Sequence, residues 1–143
     1  MIFWDASALV PLFIRQPASA QLDQSLPKGS PVAIWWGSIV ECWSAFARLR
    51  REGIIRADEE SRAREQLDEF RRRSDEVVPS EEIRRISGTL ILRHPLRAAD
   101  SLQLAAALIY SGIPASGDFY CLDERLKEAA RLEGLTPRPT AGR

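Results

Sequence analysis

Four carboxylates occur where the chain passes from one predicted element to the next. Asp5 and Asp123 each follow a short apolar run that is typical of a buried strand. Glu41 and Asp100 lie in the first turns of two predicted helices. Ligands of parallel sheets gather at the carboxyl ends of the strands. We therefore expect all four side chains to face one crevice.

Carboxylates crowded into one crevice repel one another, by about 4 kcal/mol for a pair about 4 Å apart at an effective dielectric of about 20. A bound cation offsets that repulsion. Carboxylate oxygens without His or Cys are the ligands that hard ions such as Mg²⁺ and Mn²⁺ prefer. Such an ion polarises a phosphodiester and activates a water molecule for in-line attack. The predicted chemistry is metal-assisted hydrolysis of a phosphodiester.

Each acid also has a purely structural explanation. Asp5 and Asp123 precede helices, where Asp is a favoured N-cap. The segment from Ser38 to Glu41 has the pattern of a capping box, in which Glu41 reaches back to the amide of Ser38. Asp100 is an acid in a first turn, which the helix dipole favours. It is the occurrence of all four at the same edge that favours a reaction centre.

Helical periodicity places two of these acids away from the predicted core. We expect the two helices to bury the following stripes: Ala98, Leu102, Ala105 and Ile109 in one, and Ile39, Trp43 and Phe46 in the other. Asp100 and Glu41 lie off these stripes. Trp35 and Trp36 are expected in the core or in an interface. The segment LAAALIY and the Trp-bearing helix are candidate faces of a homodimer.

The elements that must position the acids alternate between strand and helix. The predicted strands are Met1–Trp4, Val32–Trp36, Glu76–Pro79, Phe119–Leu122 and a last one from Leu135 onward. The predicted helices are Ala6–Phe13, Ala18–Leu26, Ser38–Glu52, Asp58–Arg73, Ser80–Arg93, Ala98–Ser111 and Glu124–Glu133, with a loop at Pro27–Pro31. This alternation predicts an α/β fold with a mainly parallel central sheet flanked by helices on both faces. We expect one domain over residues 1–138 and a frayed tail over residues 139–143.

The composition narrows the class of protein. A chain of 143 residues suits one compact domain. Its 20 basic and 20 acidic residues cancel, so any binding to nucleic acid must come from a local patch. The two cysteines, Cys42 and Cys121, are too few for a disulfide scaffold and are expected to be buried. No apolar stretch approaches the roughly 20 residues of a membrane span, so we expect a cytoplasmic protein.

Taken in order, these motifs resemble the PIN domain, a metal-dependent ribonuclease fold. The likeness rests on DASAL after the first strand, a glutamate in a mid-chain amphipathic helix, LRAADSLQLAAAL, and FYCLDERLKEAARLEGL. Over almost the whole chain the pattern is most similar to VapC-type toxins of bacterial type II toxin–antitoxin pairs. The resemblance implies an Mg²⁺-dependent endoribonuclease, with Mn²⁺ as an alternative ion. It also implies an RNA substrate, an antitoxin partner and a homodimer.

The resemblance assigns a role to each matching residue. Asp5, Glu41, Asp100 and Asp123 match the four acids of the family. It implies that Asp5 and Asp100 hold the Mg²⁺ most directly. Glu41 and Asp123 are then expected to act through metal-bound water or to orient the nucleophile. Ser7 matches the hydroxyl residue that supports the metal site.

Three further positions bear on the predicted site. The family commonly has Thr or Ser two residues before the fourth acid, where this chain has Cys121, whose thiol is a weaker hydrogen-bond donor. Arg97, close to Asp100 in sequence, is the best candidate for a contact with an RNA phosphate. Most other arginines are interleaved with acids, as on a solvated helical face. His94 precedes Pro95 at a helix end and is expected to be structural.

Other classes of protein remain open at this point. A PIN-like domain without catalysis would serve as a binding module, and Cys121 is compatible with that role. A phospho-acceptor signalling domain also gathers acids at strand ends, but it needs a Lys in the crevice. Neither Lys28 nor Lys127 follows a predicted strand. A haloacid-dehalogenase-type phosphatase requires a second Asp two residues after Asp5, where Ser7 stands.

Overall fold

The computed structural model describes residues 1–20, 22 and 31–140. Of the predicted helix Ala18–Leu26, only Ala18–Ala20 and Leu22 are among these residues, and the rest lies outside them. The predicted loop Pro27–Pro31 also lies outside the described residues, except for Pro31.

A five-stranded parallel sheet forms the centre of the protein, with the strand order β3-β2-β1-β4-β5. The strands are β1 (Ile2–Trp4), β2 (Ala33–Trp35), β3 (Asp75–Val77), β4 (Asp118–Tyr120) and β5 (Thr136–Arg138). The chain builds outward from β1 on one side and then returns to add β4 and β5 on the other. The strand order therefore reverses between β1 and β4, which makes this the switch point where ligands of open α/β sheets bind.

Six helices occur among the described residues. They are α1 (Ala6–Phe13), α2 (Ser38–Arg51), α3 (Ala57–Arg72), α4 (Glu81–Arg93), α5 (Ala98–Ser111) and α6 (Glu124–Leu132). The bounds of α1 and α5 coincide with the prediction, and those of the others differ from it by one residue. In the described part of the chain, no helix has the length and apolar character that crossing a membrane requires.

The helices cover both faces of the sheet, because neighbouring strand residues point to opposite sides. Trp4 and Ile34 contribute to one core with residues of α1, α2 and α3. Phe3 and Phe119 contribute to the other core with residues of α4, α5 and α6. The predicted parallel α/β architecture is confirmed.

Aromatic pairs hold β1 against β4, the two strands that flank the switch point. The rings of Phe3 and Phe119 stack with centroids 5.8 Å apart on one face of the sheet. The rings of Trp4 and Tyr120 stack at 4.3 Å on the other face. Such pairs contribute about 0.5–1.5 kcal/mol each beyond the burial of their area. They fix the register of the strand ends from which two of the predicted site residues emerge.

The predicted core stripe of α5 was partly wrong, since Ala105 is buried as expected but the other three residues are not. Ala98 is exposed and Leu102 and Ile109 are only partly buried, whereas the buried residues are Ser101 and Gln103–Ala107. The reason is that α5 packs against both α4 and the sheet, so it is buried on two sides rather than along one stripe. Most of LAAALIY is therefore inside the domain and is not available as a homodimer face.

The predicted stripe of α2 was partly wrong. Ile39 and Phe46 are buried as expected, but Cys42 takes the place of Trp43, which is 39% exposed. Trp36 is 50% exposed, while Trp35 is buried. The side chain of Trp43 instead lies at the surface beneath the guanidinium of Arg64, whose carbon is 4.4 Å from the ring centroid.

The described chain continues slightly past the last strand. Pro139 is buried, and its carbonyl accepts a hydrogen bond from Lys127 Nζ at 3.3 Å. The boundary of the domain at residue 138 stays a prediction, and residues 141–143 of the expected tail lie outside the described residues.

Candidate active site

An open cleft of about 520 Å³ lies at the carboxyl edge of the sheet. Its lining residues come from α2, α5, α6 and the segments before them: Glu41, Pro95, Arg97, Ala99, Asp100, Asp123, Glu124 and Arg125. Three of the four predicted acids thus share this cleft with the predicted RNA-binding arginine. The fourth, Asp5, is only 4% exposed and does not line the cleft, but its charge raises the pKa of Glu41, and the charge of Asp100 raises the pKa of Asp5.

Asp5 is held at the start of α1 by several contacts. Its backbone amide donates to the carbonyl of Tyr120 at 2.9 Å, which joins it to β4. Its Oδ2 accepts from the amide of Ser7 at 3.0 Å and from the Ser7 hydroxyl. The predicted N-cap role is confirmed. All hydrogen bonds that described residues donate to this carboxylate end on Oδ2, so Oδ1 has no protein donor among them.

Ser7 and Cys121 connect the ends of β1 and β4. Ser7 Oγ accepts from the amide of Leu122 at 2.8 Å and lies 3.6 Å from Cys121 Sγ. Cys121 Sγ donates to Asp5 Oδ2 at 3.6 Å and accepts from the amide of Asp123 at 3.3 Å. Burial raises the pKa of this thiol well above its usual range, so the group is neutral. The thiol therefore occupies the predicted supporting position and contacts two of the four acids.

The start of α2 differs from the predicted capping box. Gly37 is the N-cap, and Ser38 is already inside the helix. A Cβ on Gly37 would overlap the indole of Trp35, so only glycine permits this close approach. Ser38 and Glu41 do not bond each other's backbone in this geometry. Both side chains instead turn toward the same residue of α5.

That residue is Gln103, which sequence reasoning did not assign to the site. Its Nε2 donates to Glu41 Oε2 and, at 2.8 Å, to Ser38 Oγ. The Ser38 hydroxyl donates back to Gln103 Oε1 at 3.0 Å. Both Ser38 and Gln103 are fully buried. The one available signal was a polar residue inside the otherwise apolar run LQLAAAL, three positions after Asp100.

The other two acids lie at the starts of α5 and α6. Asp100 lies in the first turn of α5, where the backbone and the charge of the N-cap Arg97 oppose the rise in its pKa. Asp123 is the N-cap of α6, and its Oδ1 accepts from the amide of Leu126 at 2.9 Å. The N-cap role predicted for Asp123 is confirmed. Its second oxygen receives no hydrogen bond from the described residues.

Burial and mutual repulsion make these carboxylates hard to ionise together. Burial is the main reason that the pKa values of Asp5 and Asp100 are raised. Burial likewise raises the pKa of Glu41 to about 7, against the effect of the Gln103 amide. The charges of neighbouring acids add to each rise: Asp100 acts on Asp5, Asp5 and Asp100 act on Glu41, and Asp123 acts on Asp100. A cation in the cleft would offset this repulsion.

The donor set fits a hard ion but not a closed metal site. In the part of the chain that the structure describes, no three Asp, Glu, His or Cys side chains are grouped closely enough to hold a metal ion by themselves. The predicted four-carboxylate site is therefore not gathered as one set of ligands. Mg²⁺ commonly keeps several waters and takes one or two carboxylates together with substrate phosphates. The carboxylate oxygens of the cleft fit that mode of binding.

Two arginines lie at the rim of the cleft, each within three residues of one of the four acids in sequence. Arg97 precedes Asp100, and Arg125 follows Asp123. Neither guanidinium forms a salt bridge with any carboxylate of the described residues. Sequence reasoning identified Arg97 and missed Arg125, because nothing in the spacing distinguished it from other surface arginines.

His94, the single histidine, is not part of the cleft lining. It ends α4, and its Nε2 lies 2.7 Å from Glu133 Oε1. This contact joins α4 to the end of α6 and agrees with the structural role that was predicted. Cys42 is fully buried in α2, also as predicted.

The parallel five-stranded sheet with helices on both faces matches the PIN-domain fold of solved structures. The structure is similar to a toxin–antitoxin complex from Klebsiella pneumoniae, with a TM-score of 0.65 and 18% identity over 95% of this chain and 96% of that chain. It is also similar to VapC20 of Mycobacterium tuberculosis, described as a Sarcin-Ricin loop cleaving toxin. That match has a TM-score of 0.66 and 17% identity, and it covers 90% of this chain and 95% of that chain.

A third similar structure is VapBC2 from Rickettsia felis bound to a DNA fragment from its promoter. It has a TM-score of 0.67 and 15% identity over 96% of this chain and 98% of that chain. No protein-family model matches the sequence, and no curated protein matches it. At these identities the likeness establishes the fold, and the predicted PIN-like fold is confirmed.

Proposed function

We propose that this protein is an Mg²⁺-dependent endoribonuclease that acts in the cytoplasm as the toxin of a type II toxin–antitoxin pair. The observation that carries the proposal is the sharing of one cleft by Glu41, Asp100 and Asp123, with Asp5 buried beside them. This cleft lies at the switch point of a PIN-domain sheet. The description of VapC20 as a Sarcin-Ricin loop cleaving toxin supports RNA as the substrate.

The residues of the cleft suit hydrolysis of a phosphodiester. Asp5, through Oδ1, and Asp100 would hold Mg²⁺, in place of which Mn²⁺ is also suitable. A bound ion of this kind polarises a phosphoryl oxygen and lowers the pKa of a water molecule. Glu41, fixed through Oε2, and Asp123, with one oxygen free of protein donors, would orient the attacking water. Arg97 at the rim would contact a phosphate of the RNA.

The shape of the cleft agrees with a polymeric substrate. It is open to solvent and contains both acidic side chains, which suit a metal ion, and basic side chains, which suit phosphates. Because the net charge of the chain is zero, the attraction to RNA must come from local arginines. No lysine lines the cleft among the described residues, and Lys127 instead donates to the carbonyl of Pro139. This observation disfavours a phospho-acceptor domain.

Two protein partners belong to the proposal. The Klebsiella and Rickettsia structures are toxin–antitoxin assemblies, which supports an antitoxin as the partner of this chain. A homodimer is also proposed. Two exposed aromatic residues would contribute to its interface: Trp43 in α2 and Trp36 just before that helix.

RNA cleavage by the purified protein tests the proposal. We expect cleavage with Mg²⁺ or Mn²⁺, none with EDTA, and none for Asp5→Ala or Asp100→Ala. Glu128→Gln is the matched control, because Glu128 is an exposed acid of α6 that pairs with Arg131 and does not line the cleft. Cleavage that persists in EDTA or in both alanine variants would overturn the proposal. Binding of RNA without cleavage would instead identify a PIN-like binding module.

A further inference from the structure

We propose that Gln103 is a positioning residue that fixes the Glu41 carboxylate at the cleft, and that Ser38 fixes the Gln103 amide in turn. The inference rests on the proposed function, in which Glu41 acts on the reacting water. It concerns a residue that does not line the cleft and would not touch the RNA.

The hydrogen bonds of Gln103 fix the orientation of its side-chain amide. Its Oε1 accepts from Ser38 Oγ at 3.0 Å, and its Nε2 is 2.8 Å from the same oxygen and donates to Glu41 Oε2. Gln103 and Ser38 are both 0% exposed, so water does not replace these partners. Since a buried polar group without a partner is strongly unfavourable, the three side chains are ordered together.

The same contacts hold Glu41 against the repulsion of its neighbours. The charges of Asp5 and Asp100 act on Glu41 and would drive its carboxylate toward solvent. Its side-chain hydrogen bond to Gln103 is the one that the described residues provide. That bond ends on Oε2, so Oε1 remains available at the cleft that Glu41 lines. A fixed carboxylate costs no reorganisation when the reaction occurs.

The network also joins two elements whose separation sets the width of the site. Ser38 and Glu41 belong to the first turn of α2, whereas Gln103 lies in the second turn of α5, one turn after Asp100. A merely structural bridge between α2 and α5 would affect stability alone. A positioning bridge would also affect metal binding and the rate of chemistry, and this difference can be measured.

The experiment compares Gln103→Met and Ser38→Ala with the wild type. Gln103→Met keeps the volume but removes every hydrogen bond, and Ser38→Ala removes only the partner that orients the amide. The control is Ser87→Ala, which removes a buried hydroxyl that donates from α4 to the Ser101 carbonyl of α5 at 3.3 Å, outside the cleft. The three readouts are Mn²⁺ binding followed by electron paramagnetic resonance, steady-state RNA cleavage, and thermal unfolding.

We expect Gln103→Met to weaken Mn²⁺ binding and to lower kcat by about 10–100-fold, with little change in KM for RNA. Ser38→Ala should fall between this variant and the wild type, and Ser87→Ala should lose stability alone. In a Glu41→Gln background, Gln103→Met should weaken Mn²⁺ binding no further.

Wild-type Mn²⁺ affinity and kcat in folded Gln103→Met would overturn the inference and leave the proposed function intact. If Gln103→Met does not fold, a wild-type result for Ser38→Ala would overturn it equally. A wild-type protein that neither binds Mn²⁺ nor cleaves RNA would overturn the proposed function itself, and the inference with it.

Discussion

The thiol of Cys121 lies 3.6 Å from Oδ2 of Asp5, where β4 and β1 end side by side. The same sulfur accepts from the amide of Asp123 at 3.3 Å. A single neutral side chain therefore connects the acid after the first strand with the acid after the fourth. Sulfur forms weaker hydrogen bonds than oxygen, so this connection is looser than a hydroxyl would make it.

Cys121→Ser should therefore strengthen the site. A serine hydroxyl at this position would donate a stronger hydrogen bond to Asp5, worth about 1 kcal/mol, or roughly five-fold in Mg²⁺ affinity. Titration of RNA cleavage against Mg²⁺ concentration measures the effect. Cys121→Ala is the matched comparison, because it removes the hydrogen bonds of the thiol to Asp5 and Asp123 and should weaken the response to Mg²⁺. An equal or weaker response to Mg²⁺ in Cys121→Ser would show that the thiol supports the acids as well as a hydroxyl does.

Glu41 should make the metal-free protein less stable as pH rises. Burial raises the pKa of Glu41 from 4.5 to about 7, so between these values the folded state binds a proton that the unfolded state has lost. Stability conferred by the protonated form is therefore present below about pH 4.5 and is lost as pH rises through about 7. Glu41→Gln removes this loss and keeps an acceptor for Gln103.

The expected gain for Glu41→Gln in EDTA is about 1 kcal/mol at pH 8, allowing for the partial exposure of the side chain, and close to zero at pH 4.5. Urea denaturation at the two pH values measures it. Glu128→Gln is the control, because the pKa of this exposed acid is lowered by its hydrogen bond with Arg131. A gain that is the same at both pH values would contradict the assignment of the effect to ionisation.

Asp5 and Asp123 show how much of the site the sequence could indicate. Each follows an apolar run and precedes a helix, so local pattern alone placed both at strand ends and as N-caps. Because the carboxyl ends of parallel strands lie at one edge of the sheet, both acids must lie at that edge. Local pattern does not state which strands are neighbours, but the alternation of elements left few arrangements, and the one observed puts β1 beside β4.

Gln103 and Ser38 show where such reasoning ends. The segment Ser38–Glu41 satisfies the capping-box pattern, and local reasoning favours that outcome. A residue 65 positions away changes it, because Gln103 presents a buried amide that needs both side chains. The stripe predicted for α5 was partly wrong for a related reason: periodicity finds one buried face, and a helix packed between α4 and the sheet has two. Both errors arise because the deciding contacts join residues that are far apart in the sequence.

Asp123 serves as a helix cap and as a predicted site residue, and two substitutions separate these roles. Asp123→Asn keeps a capping oxygen for the amide of Leu126, so stability should be unchanged. Asp123→Ala removes the cap and should cost about 1 kcal/mol of the free energy of unfolding. Both variants remove the charge and should lower RNA cleavage at least 10-fold.

The matched control for the cap is Ser80→Ala. Ser80 is the N-cap of α4, and its Oγ accepts from the amide of Ile83 at 3.2 Å, outside the cleft lining. This variant should lose stability as Asp123→Ala does and cleave RNA at the wild-type rate. If Asp123→Asn cleaves RNA at the wild-type rate in the same assay, Asp123 acts only as a helix cap.

Arg97 and Arg125 should bind RNA phosphates at the two sides of the acids. Both line the cleft, and neither forms a salt bridge with a carboxylate of the described residues. Each phosphate contact releases counterions, so Arg97→Gln and Arg125→Gln should each reduce the slope of log affinity against log salt by about 0.7. Fluorescence anisotropy of single-stranded RNA in EDTA, across a salt series, measures the slope without cleavage. Arg85→Gln, at an exposed arginine of α4 outside the cleft lining, should leave the slope unchanged. If all three variants shift the slope equally, the attraction comes from the general surface charge and the two rim arginines hold no particular phosphate.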